Sequence, residues 1–217
     1  MKLYHGDCLE IMKTLDPESV DMVITDPPYF LPNIQFRPAM RQQTRTWEGN
    51  FALAQHMFAT YIDAVLRLAK PDFELYVFGD DLMTAVIYPV LYSRFYNTKT
   101  LVWDKGRIGL GGKWRRQYEN IIYAYRGDVK EGASGRSDIL KFTSPRDKDH
   151  PYQKPVDLLC YLLTASKPGV LLDPFMGSGA TMRAAKSCGW EGIGIEIEEK
   201  YYQAAENKIN QIEGEKS

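Results

Sequence analysis

Short apolar runs separated by longer amphipathic stretches set the rhythm of this chain. Runs of mostly apolar residues predict strands at 2–5, 21–25, 73–78, 99–103, 120–125, 170–173 and 192–195. Apolar positions recurring near every 3.6 residues predict helices at 8–15, 52–69, 81–96, 155–166, 181–188 and 198–212. Pro89 falls inside the third helix and should kink or split it. Strands alternating with helices imply an α/β fold: a doubly wound, mostly parallel, Rossmann-like sheet of seven strands. The strands at 99–103 and 120–125 are joined by a glycine-rich, basic loop without a helix, so they should pair as an antiparallel edge hairpin.

Two stretches have no period. Residues 31–50 mix Arg37, Arg41 and Arg45 with Phe36 and Trp47; an aperiodic loop of that length beside a motif is commonly functional or disordered, and it is expected to be a mobile flap that orders on a ligand. Residues 127–150, with Gly132, Ser134, Gly135 and Ser137, form an insert too small to fold alone. The whole chain of 217 residues suits one α/β domain.

The candidate chemistry sits at the ends of predicted strands. Asp26-Pro27-Pro28-Tyr29 follows the apolar run Met22-Val23-Ile24-Thr25 and offers a carboxylate, a backbone carbonyl on a rigid ring and a flat aromatic face. A carboxylate and a carbonyl side by side can accept both hydrogens of an exocyclic amine while the aromatic ring stacks on its heterocycle. The same four residues also make a stiff turn. Leu171-Leu172-Asp173-Pro174-Phe175-Met176-Gly177-Ser178-Gly179-Ala180-Thr181 reads as a strand, a glycine bend and a helix start. Nineteen positions past Gly177, Gly192-Ile193-Gly194-Ile195-Glu196 reads as a strand ending in an acid, where a nucleotide-binding fold places its ribose acceptor. A dinucleotide fingerprint needs Gly where this chain has Met182, and no Gly-Lys-Ser/Thr phosphate loop occurs, so the ligand expected is a nucleoside without pyrophosphate.

Charge changes the picture only once it is placed along the chain. The formal net charge is -1. Residues 99–116 carry six bases (Lys99, Lys105, Arg107, Lys113, Arg115, Arg116) against Asp104 alone, and residues 191–217 carry seven acids against three lysines. A local basic face is enough for salt-dependent binding to phosphates, although such runs are also ordinary solvated surface. Cys8, Cys160 and Cys188 have no paired spacing, and His5, His56 and His150 are isolated, so neither a disulfide framework nor a metal site is expected. Residues 1–4 lack the apolar core of a signal peptide and no run is long enough for a membrane span, which points to the cytoplasm.

Taken in order, His5-Gly6-Asp7-Cys8, Asp26-Pro27-Pro28-Tyr29, Gln153-Lys154-Pro155, Asp173-Pro174-Phe175-Met176-Gly177-Ser178-Gly179 and Gly194-Ile195-Glu196 resemble a known family. The resemblance is to the S-adenosylmethionine-dependent DNA amino-methyltransferases of the circularly permuted β class, and it covers nearly the whole chain. That family usually continues its glycine segment with two threonines, where this chain has Ala180 before Thr181.

The resemblance implies an enzyme of a bacterial or phage-infected cell that flips an adenine out of double-stranded DNA and methylates its N6, leaving S-adenosyl-L-homocysteine, whether for restriction-modification, phage self-protection or regulation. In that family Ser in place of the leading Asp tends to accompany cytosine; cytosine N4 stays the alternative, and a non-catalytic cofactor- or DNA-binding module is the alternative of another class. Asp26 and Pro27 would accept the amine and Tyr29 would stack on the base. Asp7, Cys8, Asp26, Lys154, Asp173, Phe175, Gly177, Ser178, Gly179, Thr181 and Glu196 would hold the cofactor. Asp7 and Glu196 could instead merely cap the helices that follow them, and Cys8 could simply pack in the core. Arg37, Arg41, Arg45, Lys105, Lys113, Arg115 and Arg116 would meet DNA phosphates. The chain divides into a base-binding half (1–126), a short target-recognition insert (127–150) and a cofactor half (151–217), with a homodimer or a separate specificity protein as possible partner. In a permuted fold the two ends are neighbours, so Ile212 should lie near Leu3.

Overall fold

Central strands with no polar face need helices on both sides, and β2 and β3 show why. In β2 (Val20–Thr25), Val20 and Val23 face one apolar core while Met22 and Ile24 face another. In β3 (Ala69–Gly79), Leu75 and Val77 alternate in the same way with Tyr76 and Phe78. Helices α1 (Cys8–Thr14), α2 (Phe51–Leu68) and α3 (Asp81–Tyr92) cover the first face through Met12, Phe58, Ile62, Val65, Met83 and Ile87. Helices α4 (Val156–Leu163), α5 (Ala180–Ser187) and α6 (Glu199–Gly214) cover the second through Leu158, Leu162, Met182, Ala205 and Ile209. The computed structural model describes residues 1–28, 51–95, 97–110, 112–129, 135–145 and 153–214, with side chains through residue 211.

The remaining strands are β1 (Lys2–His5), β4 (Asn97–Asp104), β5 (Tyr118–Arg126), β6 (Ile139–Lys141), β7 (Val170–Asp173) and β8 (Glu191–Glu196). Among the described residues these eight strands form one sheet in the order β1-β8-β7-β2-β3-β5-β4-β6. The first five in that order run parallel, β5 is antiparallel to both β3 and β4, and β6 is parallel to β4. The carboxyl ends of β1, β8, β7, β2, β3 and β4 therefore share one edge, and β5 begins at that edge, with Gly79 opposite Asn120 and Asp104 opposite Tyr118. Open α/β sheets bind their ligands beyond this edge.

The antiparallel hairpin forms as expected, but it is not outermost: Ile139–Lys141, part of the stretch read as an insert, adds an eighth strand beside β4. Three residues offer too little period to be read from sequence. The same stretch is tied to α4 by Arg136, whose guanidinium donates to the carbonyls of Tyr161 and Thr164 and lies over the Tyr161 ring. Helix α3 runs through Pro89 without splitting and ends at Tyr92 rather than at 96. Pro89 sits in the last turn, so the bond it denies to the Ala85 carbonyl falls just before the helix stops at Tyr92, and Ser93 N closes onto the Pro89 carbonyl at 3.2 Å. Strand β3 starts four residues before the expected 73, because Pro71 falls where the pairing with β2 slips, between Val20 opposite Ala69 and Met22 opposite Glu74. The expected contact of Ile212 with Leu3 depends on a side chain outside the described residues; the backbone pairs β1 with β8, and α6 sets its Tyr202 ring 5.5 Å from that of His5.

Candidate active site

The chain leaves β2 at Thr25, whose hydroxyl meets the buried Tyr61 hydroxyl at 3.1 Å, and the next residue is Asp26. Asp26 is half-buried at the carboxyl edge, with Pro27 buried behind it. Its Oδ2 accepts from Lys154 Nζ at 2.6 Å, and the same ammonium donates to Glu119 Oε1 at 2.7 Å. Lys105 Nζ closes on the other oxygen of Glu119 at 2.8 Å. The four groups form an alternating line of carboxylate, ammonium, carboxylate and ammonium across the ends of β2, β5 and β4, with Lys154 also 4.9 Å from the centre of the Phe78 ring. Burial alone would neutralise Glu119, yet Lys154 and Lys105 outweigh it and hold its carboxyl below the usual range. Burial likewise works against the Lys154 charge, and Asp26 and Glu119 outweigh it and raise the ammonium above its ordinary value.

Beside this line, β7 ends in Asp173, which is 3 % exposed. Its Oδ1 accepts from Phe175 N at 3.0 Å, and Thr181 donates its hydroxyl to the same carboxyl. Burial pushes Asp173 up to about 7; these hydrogen bonds oppose the shift, and the negative charges of Asp26 and Glu196 add to it. Asp26, Asp173 and Glu196 thus share one field. Such an acid-rich edge favours a ligand that carries positive charge.

The glycine bend follows. Gly177 and Gly179 both take positive φ (53° and 81°). Gly179 also has Ala205 of α6 against it: a Cβ there would stand 2.9 Å from that of Ala205. Ser178 and Thr181 are buried in the same turn. Gly177 N donates to Glu196 Oε2 at 2.9 Å and Glu198 N to Glu196 Oε1 at 2.8 Å, so this acid ties the bend to the end of β8 and also holds the turn into α6. Burial raises the Glu196 carboxyl. Met182 stands where a dinucleotide enzyme has glycine, and here the close approach is made by the strand instead: a Cβ on Gly192 or Gly194 would stand 2.9 or 3.1 Å from the Met182 sulfur.

Asp7 caps α1, its Oδ1 accepting from Leu9 N at 2.8 Å and Glu10 N at 3.2 Å, while its side chain stays exposed at the same edge. Burial, with the Asp7 charge beside it, pushes the Cys8 thiol up to about 12, so it is no nucleophile at neutral pH. Phe175 is half-buried with its ring 5.6 Å from Tyr61. Neither Tyr61 nor Glu119 stood out in the sequence: Tyr61 falls on an apolar helix face and Glu119 is one acid at the start of a strand.

Among the residues read as phosphate contacts, Lys105 belongs to the buried line through Glu119. Arg116 lies 3.4 Å from Asp80 Oδ2 and 3.2 Å from Asp81 Oδ2 at the start of α3. Arg115 Nε donates to the carbonyl of Gly109 at 2.6 Å, and Lys113 is exposed next to Trp114. Tyr29, Arg37, Arg41 and Arg45 lie outside the described residues.

Residues 20–207 match the DNA methylase family of N6 and N4 amino-methyltransferases. The type II methyltransferase M.HinfI of Haemophilus influenzae is 27 % identical over 97 % of this chain and 68 % of its own length. The crystal structure of the M1.HpyAVI–SAM complex superposes with a TM-score of 0.73 at 24 % identity, covering 95 % of this chain and 98 % of that one. The cytosine-N4-specific PvuII DNA methyltransferase gives 0.72 at 19 % identity, covering 97 % and 90 %. With the family match spanning all but the two ends, and with the acids and the glycine bend gathered at one sheet edge, the chain belongs to the DNA methylases that modify exocyclic amino groups.

Proposed function

We propose that this protein methylates the N6 amino group of adenine in double-stranded DNA with S-adenosylmethionine as donor. The observation that carries the reading is the placement of the Asp26 carboxylate at the end of β2, next to the end of β7 and within the field of Asp173 and Glu196. S-adenosylmethionine, when bound, supplies an electrophilic methyl on a cationic sulfur, and the acid-rich edge fits that charge. Glu196, Phe175, Asp7 and the bend at Gly177–Gly179 are the residues that would hold it. An adenine amine is a poor nucleophile because its lone pair is shared with the ring. Asp26 and the Pro27 carbonyl would each accept one N–H, turn the lone pair out of conjugation and stabilise positive charge as it grows on nitrogen. A carboxylate has room for about four hydrogen bonds, so the bond from Lys154 does not bar the amine. Tyr29 would stack on a base rotated out of the duplex.

The same acceptors suit a cytosine amine, and the shared fold with a cytosine-N4-specific enzyme keeps that second reading in view. The order of motifs along the chain, with the acid of β2 before the glycine bend, supports the permuted arrangement: base-binding residues come from 1–126 and cofactor residues from 151–217. Incubation with methyl-labelled cofactor and mixed-sequence duplex DNA, followed by digestion to nucleosides, tests both readings. Label on adenine supports the proposal, label on cytosine replaces it with the second reading, and no label on either refutes both.

A further inference from the structure

Catalytic proposals for this edge use Asp26 but leave Glu119 and Lys105 without a task. Glu119 is 7 % exposed at the start of β5, and it is held on both sides, by Lys154 at 2.7 Å and Lys105 at 2.8 Å. Among the described residues, Lys154 faces Asp26 from the end of β2, Glu119 from β5 and the Phe78 ring from β3, with Lys105 reaching the far oxygen of Glu119 from beyond β4. A buried ammonium with Asp26 as its single counter-charge would settle fully on that carboxylate and cancel the negative charge needed at the amine. A second carboxylate on the opposite side divides the ammonium between the two. Lys105 then keeps Glu119 ionised and in place.

We infer that Glu119, backed by Lys105, is a positioning residue for methyl transfer: it fixes Lys154 on one oxygen of Asp26 and shares its charge, so that the Asp26 carboxylate stays aimed and negative. The inference rests on the methyl-transfer reading above. Glu119 touches neither base nor cofactor in this scheme and acts through Lys154.

Glu119→Gln keeps the size of the side chain and removes the charge. In the full-length protein it should lower kcat about tenfold while the cofactor dissociation constant stays within about twofold. Because Lys154 loses one of the two carboxylates that hold it among the described residues, its titration midpoint, followed by NMR on lysines labelled at Cε, should fall. The alkaline limb of kcat should move to lower pH with it. Lys105→Gln, at a partly exposed side chain, loosens Glu119 and should lower kcat by less than about tenfold; because it removes a like charge while Glu119 stays ionised, it should move the Lys154 midpoint up, opposite to Glu119→Gln, and it decides the matter if Glu119→Gln does not fold. An unchanged kcat in a folded variant, or a fall in kcat with the Lys154 midpoint unmoved, overturns the inference. The NMR arm needs no DNA: absence of turnover in the unsubstituted protein would retire the methyl-transfer reading, while a stationary Lys154 midpoint would retire the role of Glu119.

Discussion

Asp173→Asn should make the protein more stable at alkaline pH and leave it almost unchanged at acid pH. The carboxyl is buried at the end of β7, and its folded-state value is raised from 3.8 to about 7, by burial first and then by the neighbouring charges of Asp26 and Glu196. An acid raised in the fold binds its proton more tightly folded than unfolded. Its contribution to stability is therefore complete below about pH 4 and is lost as the pH climbs through about 7. Three pH units correspond to about 4 kcal/mol, which is the upper bound of the loss. Asparagine keeps the shape, its carbonyl can still accept from Phe175 N, and the Thr181 hydroxyl can turn to accept from its amide. Urea unfolding without cofactor, at steps from about pH 5 to pH 8.5, should show the two proteins diverging as pH rises, with the variant ahead by about 2–4 kcal/mol at the top. Using the difference between the proteins cancels Glu74, which burial also raises; Glu196 interacts with Asp173 and cancels only in part. Parallel curves would refute the claim that its surroundings raise the Asp173 carboxyl.

Two more expectations follow from contacts around the edge. Gly179→Ala forces a side chain into positive φ and against Ala205, so it should cost about 3 kcal/mol in urea unfolding, with Ala205→Gly recovering the crowding part; a cost under about 0.5 kcal/mol contradicts this. Replacing both Arg115 and Arg116 by Ala should flatten the slope of log binding constant against log salt by about 0.9 rather than 1.8, because Arg116 is already matched by Asp80 and Asp81. An unchanged slope removes this loop from the DNA surface.

Much of this architecture was legible because the buried strands are short and end in chemistry. Lys2–His5 and Val170–Asp173 match the apolar runs to the residue, and Asp26, Asp173 and Glu196 each stand where such a run stops. Strand β6 escaped because three residues cannot display a period, and α3 stopped short of 96 because the apolar pattern continues past Tyr92 to Phe95 while the helix does not. Contacts between distant residues left no trace in the pattern. Lys154 and Glu119 are 35 positions apart and Lys154 and Asp26 are 128 apart, so their meeting is a property of the sheet order. Of the two readings of Asp7 and Glu196 the capping one is seen: each caps or ties a turn at the carboxyl edge of the sheet, where the proposed cofactor would lie.

The central claim is that the Asp26 carboxylate accepts the amine during transfer. Single-turnover methylation of duplex DNA by Asp26→Ala at saturating S-adenosylmethionine, with cofactor affinity measured by calorimetry on the same sample, addresses it directly. Loss of transfer by at least about a hundredfold with cofactor affinity within about threefold is the result expected from removing one charged acceptor in the transition state. Near-normal single-turnover rates in the alanine variant would contradict the account.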